Sequence, residues 1–149
     1  MTEKTMPMLR FDGSLWCNMD IALRNLDQVV NREVRAFGLS MIELYILRAL
    51  YERDGQNASE LAREVGRAAT SFTPNLDKLQ AKGYIERHDD ERDRRAVRIY
   101  LTPFAEERRP VLTELMRRID QRLCELIPSE DYEAFLRVLA VLQSVDLAG

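Results

Sequence analysis

The chain has 149 residues, a length that suits one domain with or without helical extensions. With 46% hydrophobic and 32% charged residues it can build a packed core, which excludes a chain disordered by composition. Its net charge of −3 excludes a global positive field, so attraction to nucleic acid must come from a local basic patch.

No apolar run approaches the roughly 18–20 residues that span a bilayer. Residues 1–10 lack the apolar stretch of a signal peptide, so no membrane partner is expected and the expected compartment is the cytoplasm. The two cysteines, Cys17 and Cys124, are far apart in sequence, and His88 is the single histidine. The sequence has no CxxC pair, no Cys/His cluster with zinc spacing and no glycine-rich phosphate loop. A Ser-His-Asp or Cys-His group would have to recruit His88 from a charged loop. No metal, cofactor or catalytic residue is therefore expected, and an enzyme is the least supported class.

Residues 1–10 read as a loose tail, with Pro7 discouraging helix. Over residues 11–37, Leu15, Met19, Leu23, Leu26, Val30, Val34 and Phe37 recur every three or four positions, the stripe of a long helix that Gly38 can cap. Ser40-Met41-Ile42-Glu43 has the pattern of a capping box. It opens a second helix, residues 41–52, with Leu44, Leu47, Leu50 and Tyr51 inward. Asp54-Gly55-Gln56 breaks the chain. Asn57-Ala58-Ser59-Glu60 repeats the capping pattern and opens a third helix, residues 58–65, with Leu61, Ala62 and Val65 inward. Gly66 permits a tight turn.

A fourth helix spans about residues 70–82 and buries Phe72, Leu76 and Leu79. Its opposite face carries Thr70, Ser71, Pro74, Lys78 and Ala81, flanked by Thr73, Asn75 and Asp77. Proline lacks an N–H and crowds the preceding turn, so Pro74 places the helix start near Thr70, the expected N-cap. Gly83 ends the helix. Residues 84–87 and 96–101 read as paired strands, joined by a loop, residues 88–95, that carries Arg92, Arg94 and Arg95. Thr102-Pro103 then starts a long helix, residues 103–127, which Pro110 should kink or loosen. After a break at Pro128, a last helix over residues 129–145 carries Phe135, Leu136, Leu139, Leu142 and Val145.

This order reads as a mostly α (α+β) fold: a helix-turn-helix with a wing, the shape that lays one helix in a DNA groove and a ribbon beside it. The organisation expected is a tail at 1–10, an outer helix at 11–37, the winged domain at 38–102 and C-terminal helices at 103–149. The outer stripes look like apparatus for pairing two copies.

Several stretches coincide with one family. Gly38-Leu39-Ser40, Ser59-Glu60-Leu61-Ala62-Arg63, Leu76-Asp77-Lys78-Leu79 and Lys82-Gly83-Tyr84-Ile85-Glu86-Arg87 precede Asp90-Glu91-Arg92-Asp93-Arg94-Arg95-Ala96-Val97, which closes on Leu101-Thr102. The sequence resembles the multiple antibiotic resistance regulator (MarR) family of bacterial transcription factors, closely over residues 38–102. The wing run ending in Leu-Thr is its specific mark.

The resemblance implies a homodimer whose first and last helices interleave into a dimerisation region. It implies a sequence-specific regulator, a repressor in most members, on pseudo-palindromic double-stranded DNA. Release would follow binding of a small phenolic or other aromatic effector. Carried over by position, the DNA-binding residues are Thr70, Ser71, Thr73 and Lys78 on the recognition helix and Arg92, Arg94 and Arg95 in the wing. Hydroxyls can serve bases or phosphates, lysine serves phosphate or guanine, and arginine suits a narrow minor groove. Pro74 stands where the family often has a polar residue, which removes one possible base contact. Asp93 is expected to pair with a neighbouring arginine and fix the loop. A ligand pocket between the two regions would draw on Trp16, Met19, Leu23 and Tyr45, which read equally well as core.

Two rival readings remain. In the first, the chain is an organic hydroperoxide sensor of the same family, with Cys17 reactive and Cys124 as a second thiol. The family's partner tyrosines are not matched, since Ile21 and Asn31 occupy the nearest positions. In the second, the winged helix is a protein–protein assembly module that reads no base; its arginine-rich wing argues against that.

Overall fold

The computed structural model describes residues 8–67 and 69–145, with side chains at all of these except 69–71. Helix α1 (Leu15–Arg35) starts at the first residue of its stripe, four residues after the expected start at 11. Phe11, Asp12 and Gly13 have φ of 52°, 51° and 78°, left-handed values that a right-handed helix cannot include. Ser14 then caps α1, its Oγ accepting from the Cys17 N–H at 3.4 Å. The Asn18 side chain ties the turn down by donating to the Arg10 and Ser14 carbonyls at 2.9 and 2.6 Å.

Helices α2 (Met41–Glu52) and α3 (Ala58–Val65) both start at complete capping boxes, from Ser40/Glu43 and Asn57/Glu60. Between them lies a two-residue strand, β1 (Gln56–Asn57), where the sequence shows only a chain break. The Gln56 side chain is buried, its amide donating to the Arg53 carbonyl just past α2 and to the Ala49 carbonyl, which also accepts the Arg53 N–H. Gly55 before it has φ of +73°, and a Cβ there would lie 2.9 Å from the Tyr100 ring, so the turn needs glycine.

Helix α4 (Ala69–Ala81) starts one residue before the expected N-cap, so Thr70 lies within the helix and Pro74 inside it. Strands β2 (Ile85–Asp89) and β3 (Val97–Leu101) follow. The antiparallel sheet has the order β1-β3-β2, with Ile85 opposite Leu101 and Asp89 opposite Val97. This is a winged helix fold. Helix α5 (Pro103–Glu125) is capped by Thr102, whose Oγ1 accepts from the Ala105 N–H at 3.2 Å and donates to the Gly83 carbonyl at 2.5 Å. Pro110 does not divide α5, which runs unbroken through it. Pro110 is exposed, so the Glu106 carbonyl that loses its helical partner has access to water.

The core joins Leu44, Leu47 and Leu50 of α2, Leu61 and Val65 of α3, and Phe72, Leu76 and Leu79 of α4. Ile85 and Ile99 of the sheet and Leu112 and Leu115 of α5 complete it. Of α1, the fully buried residue is Val34. Helix α6 (Tyr132–Gln143) contributes none: Phe135, Leu136, Val138, Leu139, Val141 and Leu142 are all exposed. In the first half of α1, Leu15, Trp16, Met19 and Leu23 are exposed as well.

Candidate nucleic-acid interface

Helix α4 is held by its apolar face and at its end. Phe72, Leu76 and Leu79 are buried, which turns Thr73, Pro74 and Lys78 outward. Thr70 and Ser71 are helical in backbone; their side chains lie outside the described residues. Just past the helix, Lys82 Nζ lies 2.6 Å from Glu43 Oε2. Glu43 is buried in the first turn of α2, where its carboxylate also accepts the Ser40 N–H at 3.0 Å. A buried carboxylate is costly unless paired, so this contact fixes the exit of α4 against α2.

The wing loop is shaped by carboxylates acting on backbone. Asp90 Oδ1 accepts the Arg92 N–H at 2.9 Å, and Asp93 Oδ1 accepts the Arg95 N–H at 3.0 Å. Both are short-range aspartate turns. Asp93 therefore fixes the loop as expected, but through the main chain of Arg95 and not its guanidinium. The ion pair belongs to Asp90, whose Oδ2 lies 2.8 Å from Arg98 Nε; Arg98 Nη1 also donates to the Gly55 carbonyl at 2.8 Å. The Arg92 N–H, and then Arg98, hold the Asp90 carboxyl below its ordinary value, and Asp90 in turn raises Arg98. Arg98 is thus spent inside the wing. Arg92, Arg94 and Arg95 are exposed, and among the described residues no ion pair takes their guanidinium groups.

The helix and the ribbon are also joined. From β2, Arg87 Nε donates to Gln80 Oε1 at 2.6 Å, and its Nη2 donates to Asp77 Oδ1, both on α4. Sequence reasoning singled out neither Arg87 nor Asp90 as a working residue. Asp90 had a local signal, an aspartate two residues before an arginine in a turn; Arg87 had none, because its partners lie seven and ten positions away.

Three comparisons with known proteins bear on this geometry. Residues 39–97 match the model of the MarR family. Over its winged domain the chain is similar to that family. It is 29% identical over 104 residues to the uncharacterized HTH-type transcriptional regulator YfiV of Bacillus subtilis (strain 168). That alignment takes in 70% of this chain and spans 65% of the length of the relative. Among solved structures it is similar to the transcriptional repressor CouR bound to a 23-mer DNA duplex, with 25% identity and a TM-score of 0.77 over 87% of this chain and 92% of that one. It is also similar to a MarR family regulator from Silicibacter pomeroyi, with 26% identity and a TM-score of 0.70 over 91% and 92%.

In this winged helix fold the apolar cleft nearest the expected pocket has a volume of about 390 Å³. It is lined by Val30 of α1, Met41, Leu44, Tyr45 and Arg48 of α2, and Met116 and Ile119 of α5. Of the four residues expected from sequence, Tyr45 lines it. Trp16, Met19 and Leu23 do not line it and are exposed on the first half of α1.

Cys17 is half-buried, and its backbone N–H is bonded to Ser14. Cys124 is exposed, and its thiol donates to the Tyr132 hydroxyl across 3.6 Å. That hydrogen bond comes first in raising the Tyr132 hydroxyl above its ordinary pKa. His88 lies 3.2 Å from Glu86 at the wing and meets the Tyr100 ring edge-on. Among the described residues no helix is long and apolar enough to cross a membrane, and no cluster has the make-up of a metal site.

Proposed function

We propose that this chain is a homodimeric transcriptional repressor that binds pseudo-palindromic double-stranded DNA and is released by a small aromatic effector. The observation that carries the DNA reading is the wing. Asp90 and Asp93 shape its loop through backbone N–H groups and leave Arg92, Arg94 and Arg95 pointing into solvent without carboxylate partners among the described residues. In a chain of net charge −3, three unpaired guanidinium groups at one tip supply the local positive field that a minor groove attracts. An assembly module has no need of such a tip. Thr70, Ser71, Thr73 and Lys78 then face the major groove, with Lys78 on phosphate or guanine. The similarity to CouR, a repressor solved on a DNA duplex, supports the same reading.

Homodimerisation is supported by the exposed apolar faces of α6 and of the first half of α1, larger than a soluble monomer ordinarily leaves in water. Two copies joined there would set their α4 helices about one DNA turn apart, roughly 34 Å. The effector reading is supported by the cleft of about 390 Å³, within the usual range for small ligands. Its lining is mainly apolar, and Arg48, the one charged residue there, is paired with Asp120 at 2.9 Å, which suits an apolar or aromatic molecule. Repression is the mode that the resemblance to the MarR family implies, and the similarity to the repressor CouR supports it.

The test is a titration of the purified protein against the DNA upstream of its own gene, with excess nonspecific competitor, at two salt concentrations. Competitor-resistant binding, one dimer per inverted repeat, is the expected result. Binding that vanishes with salt would reduce the interaction to backbone attraction.

A further inference from the structure

We propose that Arg87 is a positioning residue: by gripping Asp77 and Gln80 it sets the angle between the recognition helix and the wing. The proposal rests on the DNA-binding reading above and concerns how the two contacting parts are held in register. Asp77 and Gln80 stand three residues apart, on one face of α4. Arg87 stands on β2 opposite Ile99, whose side chain is fully buried, so the strand is anchored to the core at that point. Nearer the helix, the Tyr84 N–H donates to the Leu79 carbonyl at 3.0 Å and Ile85 is buried. Beyond Arg87 the ribbon leaves the core: His88 and Asp89 are exposed, and the loop with the three arginines follows.

Arg87 is therefore the outermost point at which β2 is tied to α4 by a charged side chain among the described residues. The lever beyond it is long. Two further residues of strand at about 3.3 Å each, with the loop beyond them, reach roughly 10 Å, so a tilt of about 10° at Arg87 carries the tip through roughly 2 Å. A minor groove about 6 Å wide does not tolerate that error. The brace is partly exposed, with side-chain exposures of 28% for Arg87 and 60% for Asp77, so its effect on overall stability is small and its effect on alignment is what counts.

The sign of one substitution separates this role from plain electrostatics. Asp77 adjoins Lys78 on α4, and removing a carboxylate beside DNA ordinarily strengthens binding. If the brace aligns the wing, Asp77→Ala weakens binding instead. A duplex is first selected by the unaltered protein from a random-sequence pool. Its affinity is then measured at two salt concentrations for D77A, D77N, R87A and the double variant D77A/R87A, with thermal melting alongside. The expected result is a loss of roughly 3- to 30-fold for D77A on the selected duplex, and a double variant no weaker than R87A. D77N, which keeps an acceptor for the guanidinium, retains more affinity than D77A although both lose the charge. Salt slopes stay equal and melting temperatures stay within about 4 °C.

Equal or tighter binding by D77A overturns the proposal. So does a salt slope lowered by about one in R87A alone, which would make Arg87 a direct phosphate contact. Failure of the unaltered protein to enrich any sequence removes the DNA-binding reading itself, and this inference with it, before a variant is made.

Discussion

The winged domain and the outer helices are built to different degrees of completion. Between Leu39 and Met116 most of the apolar side chains close on one another, and two polar side chains drawn inward find partners: Glu43 takes Lys82, and Gln56 takes the Ala49 and Arg53 carbonyls. In α6 and the first half of α1 the helices form, but their apolar residues face water. Both regions show the same three- and four-residue periodicity. The difference teaches that periodicity reports a helix with a face to bury, and says nothing about whether the chain itself supplies the surface that buries it.

The contrast can be broken at the outer helices with the largest effect. Leu136→Asp with Leu139→Asp puts two carboxylates on the exposed face of α6. If that face joins two copies, the dimer constant weakens by roughly 100-fold or more, read as a monomer mass in sedimentation. An unchanged dimer would place the interface elsewhere. In the finished region, Leu61→Ala empties a fully buried site and should cost about 2–5 kcal/mol in urea unfolding. Its mass in solution should not change, which sets core damage apart from interface damage.

Arg95→Ala comes next. Loss of a specific groove contact is expected to weaken operator binding by about 1–3 kcal/mol with no change in melting. Unchanged affinity would show that this arginine does not reach the groove.

The smallest expected effect lies at the seam between α2 and α5. The Tyr51 hydroxyl donates to the Ala105 carbonyl at 2.7 Å, and Tyr51→Phe should cost about 1 kcal/mol. Burial first, and then the nearby Glu106 charge, push that hydroxyl from 10.0 up to about 12. The folded state holds this proton more tightly than the unfolded state does. Its contribution is therefore fully present below pH 10 and is lost as pH rises through about 12. In an ultraviolet titration the native protein should show one more late-ionising tyrosine than Y51F, in which the raised Tyr132 remains.

Much of the fold was legible because its determinants are local. The capping residues Ser40 and Asn57 and the glycines at 38, 66 and 83 act within a few positions of where they stand. The wing loop was half legible. Its arginines were visible in the sequence, but Asp90 as the ion-paired carboxylate was not, because Arg98 lies eight residues on, across the ribbon. The expected span of α1 began four residues early because the left-handed backbone at residues 11–13 leaves no mark in the spacing of apolar side chains. Strand β1 escaped notice because two residues carry no period.

By itself the sequence determined the elements, their inward faces and the charge of the wing, since each depends on residue type and on spacings shorter than two helical turns. Only the tertiary structure decided which charges remain unpaired, which residues line the cleft, and that Arg87 ties the ribbon to α4. Those outcomes depend on distances between segments far apart in the chain, and such distances exist only once the core has closed.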